Sequence, residues 1–152
     1  MKLSTKGRYA MIALTDLALE GAAGLVTLSG IAERQGISLA YLEQLFVKLR
    51  RAEVVESVRG PGGGYRLARA PERIRVSEVL TAVDETMDAL ARGAGASGAD
   101  TGTTAQTRCD RLWEGLSAHV YVYLHQTRLS DVIADTMMPC PAVPAIVEMV
   151  DA

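Results

Sequence analysis

The chain has 152 residues, 49% of them apolar, and a formal net charge of −2. That length suits one domain, or a small domain with an appended oligomerisation arm, and enough apolar residues are present to build a core. No apolar run approaches the ~18 residues of a membrane span, and the N-terminus enters a helical pattern without a secretory cleavage signal, so a cytoplasmic protein with no membrane partner is expected. Two cysteines, Cys109 and Cys140, do not make a disulfide framework. The charge is unevenly spread. Residues 1–75 hold 12 Lys and Arg against 7 Asp and Glu, a balance of +5, while residues 76–152 hold 4 against 11, a balance of −7. A basic first half and an acidic second half predict a nucleic-acid-binding module joined to a part kept off nucleic acid.

Residues 6–21 read as the first helix. Tyr9, Met11, Ile12, Ala13, Leu14, Leu17, Ala18 and Leu19 leave few polar positions, which predicts cover on more than one side, from its own domain and from a second surface. Lys2, Lys6 and Arg8 stand at its start, where cations oppose the helix dipole. Phosphate oxygens would relieve that conflict and accept bonds from the free amides; solvated basic residues are the plainer alternative. Gly21 to Gly24 is a turn. A short helix follows over residues 27–35, and Gly36-Ile37 breaks it from a helix over residues 38–53. In that helix Leu42, Leu45, Phe46 and Leu49 recur at three- and four-residue spacing and form a stripe for a core. Ser38 is a natural N-cap. The other face carries Tyr41, Glu43 and Gln44, then Lys48, Arg50 and Arg51. Helix, glycine-containing turn, helix is the helix-turn-helix layout, whose second helix enters the DNA major groove.

Residues 54–58 alternate as a strand and Tyr65-Arg66-Leu67 as its partner. The tip between them, Arg59-Gly60-Pro61-Gly62-Gly63-Gly64, makes a β-hairpin. A hairpin directly after a helix-turn-helix is the wing of a winged-helix domain. Gly60 and Gly62 let the backbone approach DNA closely, and Arg59 is placed to enter a narrow minor groove. A glycine loop can instead cradle a nucleotide phosphate, but this one lacks the Gly-Lys-Ser/Thr ending of a P-loop and opens no helix. Residues 76–90 read as a fourth helix, with Val76, Val79, Leu80 and Val83 inward and Ser77 as its cap. Residues 91–107 are small and polar and read as a flexible loop. Residues 108–127 read as a long helix with Trp113, Leu116, Val120, Tyr123 and Leu124 on one stripe. It lies too far along the chain to join the winged core, so pairing with the same helix of a second subunit is its natural use. A short helix from Ser130 ends before Met138-Pro139-Cys140-Pro141, and residues 138–152 read as a tail.

These readings give a fold that is mainly α with a small β-hairpin. A winged helix-turn-helix domain spans residues 1–90 and a sensor loop residues 91–107. A dimerisation helix with a short terminal helix covers residues 108–137. Several runs also resemble the bacterial IscR regulators, a winged-helix family that includes NsrR-type and CymR-type repressors. They are Leu3-Ser4-Thr5-Lys6-Gly7-Arg8-Tyr9-Ala10, Ile31-Ala32-Glu33-Arg34-Gln35-Gly36-Ile37-Ser38, Tyr41-Leu42-Glu43-Gln44-Leu45 and Val58-Arg59-Gly60-Pro61-Gly62-Gly63-Gly64-Tyr65. Ala82-Val83-Asp84-Glu85 and Leu112-Trp113 continue the match, over roughly residues 1–130.

The resemblance implies a homodimeric transcription factor acting on a double-stranded DNA operator, mainly as a repressor, of iron-sulfur cluster assembly or iron homeostasis genes. The DNA-contacting residues would be Lys2, Ser4, Lys6, Arg8, Ser38, Tyr41, Glu43, Gln44, Lys48, Arg59, Gly60 and Gly62. It also implies an iron-sulfur cluster, of the two-iron two-sulfur type, bound by three loop cysteines and a fourth ligand. This sequence departs from that pattern. Its loop holds only Cys109, Arg92 stands at the first cysteine position, and the first histidine that follows is His119. Cys109 lies between Arg108 and Arg111, and neighbouring cations make a thiol easier to ligate or to oxidise. A cluster-free thiol- or partner-sensing repressor therefore stands as the alternative. An enzyme with an accessory winged helix is the remote one, because no nucleophile, base and acid set accompanies His119 and His125, and no small-molecule substrate is implied.

Overall fold

The computed structural model describes residues 4–85 and 102–137. Helix α1, Thr5–Glu20, buries Gly7, Ala10, Ala13, Leu14, Asp16 and Leu17 along one side. A 3-10 turn at Gly21–Ala23 leads to α2, Leu28–Gln35. Its cap is Thr27, whose hydroxyl accepts from the Gly30 amide at 3.1 Å. Gly36-Ile37-Ser38 joins it to α3, Leu39–Arg51. The Ser38 hydroxyl accepts from the Tyr41 amide at 3.4 Å, which makes it the expected cap. Leu42, Leu45, Phe46 and Leu49 are all buried, as their spacing predicts.

Strands β1, Val55–Val58, and β2, Gly64–Leu67, form an antiparallel hairpin in which Val55 faces Leu67 and Val58 faces Gly64. A short bridge widens it. Val26 donates to the Tyr65 carbonyl at 3.0 Å and accepts from the Tyr65 amide at 2.7 Å. The hairpin is thereby tied to the chain just before α2. The Phe46 and Tyr65 rings meet edge-on at 5.0 Å, which seats the hairpin against α3.

Helix α4 spans Val76–Ala82 and is shorter than the sequence suggests. It stops where Asp84 takes a φ of 56° and the Glu85 amide turns back to the Leu80 carbonyl at 2.9 Å. Residues 86–90 of the expected helix lie outside the described residues. Ser77 does not cap α4. Arg75 precedes the helix and its amide donates to the Glu78 carboxylate at 2.8 Å, while Ser77 is buried with its hydroxyl 3.2 Å from Nδ1 of His125.

Helix α5, Thr104–Gln126, begins four residues earlier than expected, because Thr103 accepts from the Gln106 amide and caps it. Residues 104–107 of the predicted loop are therefore helical. Helix α6, Leu129–Ile133, follows after a two-residue corner. That corner is pinned to the chain before α4. The Val76 amide donates to the Thr127 carbonyl at 3.0 Å, and the Leu129 amide donates to the Ile74 carbonyl at 2.9 Å. Leu129 is fully buried and belongs to the same core as Ala10, Leu14, Phe46 and Val79. The end of the described chain thus returns to the winged module, which periodicity alone did not anticipate.

Candidate nucleic-acid interface and metal-ligand positions

Helix α3 turns its apolar stripe inward, so its remaining face is presented to solvent. Ala40, Glu43 and Gln44 are exposed there, and the Glu43 and Gln44 side chains make no hydrogen bond among the described residues. Tyr41 sits differently from its neighbours. Its ring is half-buried and meets the Tyr9 ring of α1 edge-on at 5.7 Å, so it braces α3 against α1 while leaving part of itself accessible. Lys6, Tyr41, Gln44, Leu45 and Lys48 line one shallow cleft. The fold thus brings the start of α1 and the exposed face of α3 together.

Acidic residues at the end of α4 occupy part of this basic corner. Asp84 pairs with Lys48 at 2.6 Å, and its carbonyl accepts from the Lys6 ammonium at 3.0 Å. The Lys48 ammonium beside Asp84 holds its carboxyl below the usual carboxylate range. Glu85 reaches the head of α1, where its carboxylate accepts from the Ser4 amide at 3.2 Å, from the Gly7 amide at 3.1 Å and from the Ser4 hydroxyl. Burial pushes the Glu85 carboxyl up, but the bonds from Ser4 and Gly7, with Lys6 nearby, outweigh it and the net direction is down. The dipole conflict at the start of α1 is therefore relieved by a protein carboxylate rather than left to a phosphate. Gly7 makes this possible, because a Cβ there would stand 2.8 Å from a Glu85 oxygen and 3.0 Å from Leu80.

At the wing, Arg59 is exposed and has no hydrogen bond or ion pair among the described residues. Gly60 and Gly62 take φ values of 105° and 72°, which an L side chain rarely adopts. Between the strands, Glu56 pairs with Arg66 directly across the hairpin. Ser38 is spent as the α3 cap. Arg8 is exposed beside Lys6 at the head of α1, and Lys2 lies outside the described residues.

Sequence reasoning missed the link that sets the helix-turn-helix on α1. Asp16 is 6% exposed, and its carboxylate accepts from Arg34 at 3.0 and 2.7 Å and from Gln35 at 2.8 Å. The two bonds from Arg34 hold the Asp16 carboxyl below its usual range against the opposing effect of burial. The available signal was an acid between Leu14 and Leu17 on the buried side of α1, a position that demands a partner.

Cys109 is exposed on the second turn of α5. His119 lies on the same helix ten residues on, about 15 Å along the axis, and its Nδ1 bonds the Gly115 carbonyl at 2.8 Å. Residues of one chain therefore cannot bring Cys109 and His119 to one small cluster. Among the described residues no three of His, Cys, Asp and Glu are grouped to hold a metal ion. His125 has a structural place. It stacks on Tyr121 at 5.4 Å, its Nδ1 meets Ser77, and its carbonyl accepts from Arg75 at 2.6 Å.

Residues 3–135 match the Rrf2 family, described as iron-dependent transcriptional regulators. The chain belongs to this family. It is 67% identical to the HTH-type transcriptional regulator IscR of Cereibacter sphaeroides, with 99% of each chain covered. Among solved Rrf2-like structures, T. potens IscR shares 35% identity at a TM-score of 0.69, covering 92% of this chain and 93% of that one. CymR, described as the global cysteine regulator of B. subtilis, shares 30% identity at a TM-score of 0.71, covering 88% and 97%. Together with the winged-helix geometry these likenesses make the protein a DNA-binding transcriptional regulator. No helix among the described residues is long and apolar enough to cross a membrane.

Proposed function

We propose that this Rrf2-family chain acts as a homodimer on a double-stranded operator, mainly as a repressor of iron-sulfur cluster assembly or iron homeostasis genes, and is modulated at Cys109. It is not an enzyme on this reading. The observation that carries the dimer is α5. None of its 23 residues is buried, although Trp113 is 44%, Leu116 41% and Tyr123 51% exposed. A helix about 35 Å long with such side chains in water calls for a partner, and a second copy of the same helix supplies one by two-fold symmetry. One winged domain reads too few base pairs for tight specific binding, whereas a dimer reads two half-sites a helical turn apart. Lys6, Arg8, Gln44, Lys48 and Arg59 would then hold phosphates and bases, with Ser4 at the head of α1.

The modulating group on this reading is an iron-sulfur cluster of the two-iron two-sulfur type. Cys109 would supply a thiolate to it, with the remaining donors coming from outside its own helix. The described residues do not complete such a set by themselves. That exposed thiol, ungrouped with other ligand-type side chains among the described residues, favours a second reading, in which Cys109 responds to oxidation or to a partner without a cluster. Anaerobic reconstitution of the wild type and Cys109→Ala separates the two, scored by visible absorption, iron content and DNA affinity. Loss of iron and a changed affinity in the variant is the expected result. Iron-free wild type whose affinity changes on thiol oxidation would favour the second reading. Equal iron and equal affinity would make Cys109 a bystander.

A further inference from the structure

The exposed face of α3 is apolar at two places where a nucleic-acid interface would ordinarily be polar. With Leu42, Leu45, Phe46 and Leu49 buried, the helical repeat puts Ala40, Gln44, Val47 and Arg51 diametrically opposite the core. Ala40 is exposed and Val47 is 37% exposed. Lys48, Arg50 and Arg51 supply positive charge in the last turn of the same helix. A phosphate offers nothing to an alanine or valine side chain, which has no donor. Among the base edges of the major groove, most positions present hydrogen-bonding atoms that an apolar side chain would desolvate without pairing. The C5-methyl of thymine is the exception.

We infer that Ala40 and Val47 read thymine methyl groups on either side of a base pair contacted by Gln44. The inference rests on α3 being the recognition helix, and it adds which bases that helix prefers. Gln44 is suited to bond an adenine edge in two places. The helical rise separates Ala40 from Val47 by about 10 Å, close to three base steps of about 3.4 Å each. The preferred half-site should therefore carry two thymines about three steps apart, with an adenine between them on one strand or the other. Glu43 stands to one side of this row and discriminates separately, since it accepts only from a donor such as the cytosine amino group.

The test begins with selection of bound duplexes from a random library by the full-length protein. Fluorescence anisotropy then compares the selected duplex with copies in which single thymines are replaced by deoxyuridine, which removes only the methyl. At each of the two positions the wild type should lose affinity roughly four-fold. Ala40→Ser should bind thymine and deoxyuridine equally at one position and keep its discrimination at the other. Val47→Ser should show the converse. Circular dichroism and an unchanged salt slope would certify that both variants fold and still meet the phosphates. Equal wild-type affinity for thymine and deoxyuridine throughout, with a sequence nonetheless selected, would overturn the inference and leave the regulator reading intact. Failure to select any sequence would overturn the reading of α3 as a recognition helix, and the inference with it.

Discussion

Asp16 shows how a single buried charge can govern the geometry of a binding surface. It accepts three bonds from α2, and α2 in turn sets the turn into α3. Its carboxyl is held below the ordinary value, so the stability it contributes is present above the unfolded-state value of about 4. That contribution is lost as pH falls through its folded-state value. Asp16→Asn keeps the shape but removes the charge. At pH 7 it should cost about 1.5 kcal/mol, the low end for charge-assisted bonds, because the Arg34 side chain is 38% exposed and water screens the pair. Urea unfolding at pH 7 and below pH 4 checks this. The variant should lose less stability on acidification than the wild type, and parallel pH profiles would show that the pair does not control the link. Asp16 and Arg34 are 18 residues apart, so no local pattern announces their pairing.

Among the elements, the wing is the most self-contained. Its hairpin is closed by Glu56 and Arg66, seated by Phe46 on Tyr65, and capped by a tip in which a Cβ on Gly63 would strike the Val58 carbonyl at 2.3 Å. That tip presents Arg59 alone. Arg59→Ala should therefore weaken DNA binding by about 1–3 kcal/mol and flatten the salt dependence, with stability unchanged. Anisotropy titrations across a salt series would show it, and identical affinity and slope would remove Arg59 from the interface. Element by element, much was legible beforehand. The α3 stripe, the Ser38 cap, the Thr27–Gly36 frame of α2 and the glycine tip all follow from short-range rules that act within a few residues. What escaped depends on distant contacts. The length of α4 is set by the Asp84 and Glu85 bonds to Lys48, Ser4 and Gly7, which draw the chain toward the head of α1. The burial of Ser77 is set by His125, 48 residues away.

At the level of the whole molecule, two apolar surfaces stand exposed among the described residues. One is the α5 stripe, and the other is the outer side of α1, where Ile12 is 42% and Leu19 56% exposed. The spacing of apolar residues predicts both, the first as a seam with a second copy and the second as a helix face with further cover. Leu116→Asp combined with Val120→Asp should yield monomers and abolish operator binding, while leaving the thermal unfolding of the winged core nearly unchanged. Sedimentation velocity reads the first effect and anisotropy the second. A double variant that still sediments as a dimer would place the interface elsewhere, with the α1 surface the next candidate.

Leu129 gives the protein a particular history as it is made. The core that holds α1 is completed by a side chain from α6, with α5 wholly interposed between α4 and that residue. At about 5–20 residues per second, roughly 2–10 s pass between the end of α4 and the emergence of Leu129. Throughout that interval the nascent chain has α3 and the wing in hand but an open seam beside Ile74. On that order of synthesis, nascent winged domains stay open to chaperones and proteases until α5 and the start of α6 have also been made. A polypeptide halted inside α5 would be cleared rather than linger as a DNA-binding fragment that competes for operators.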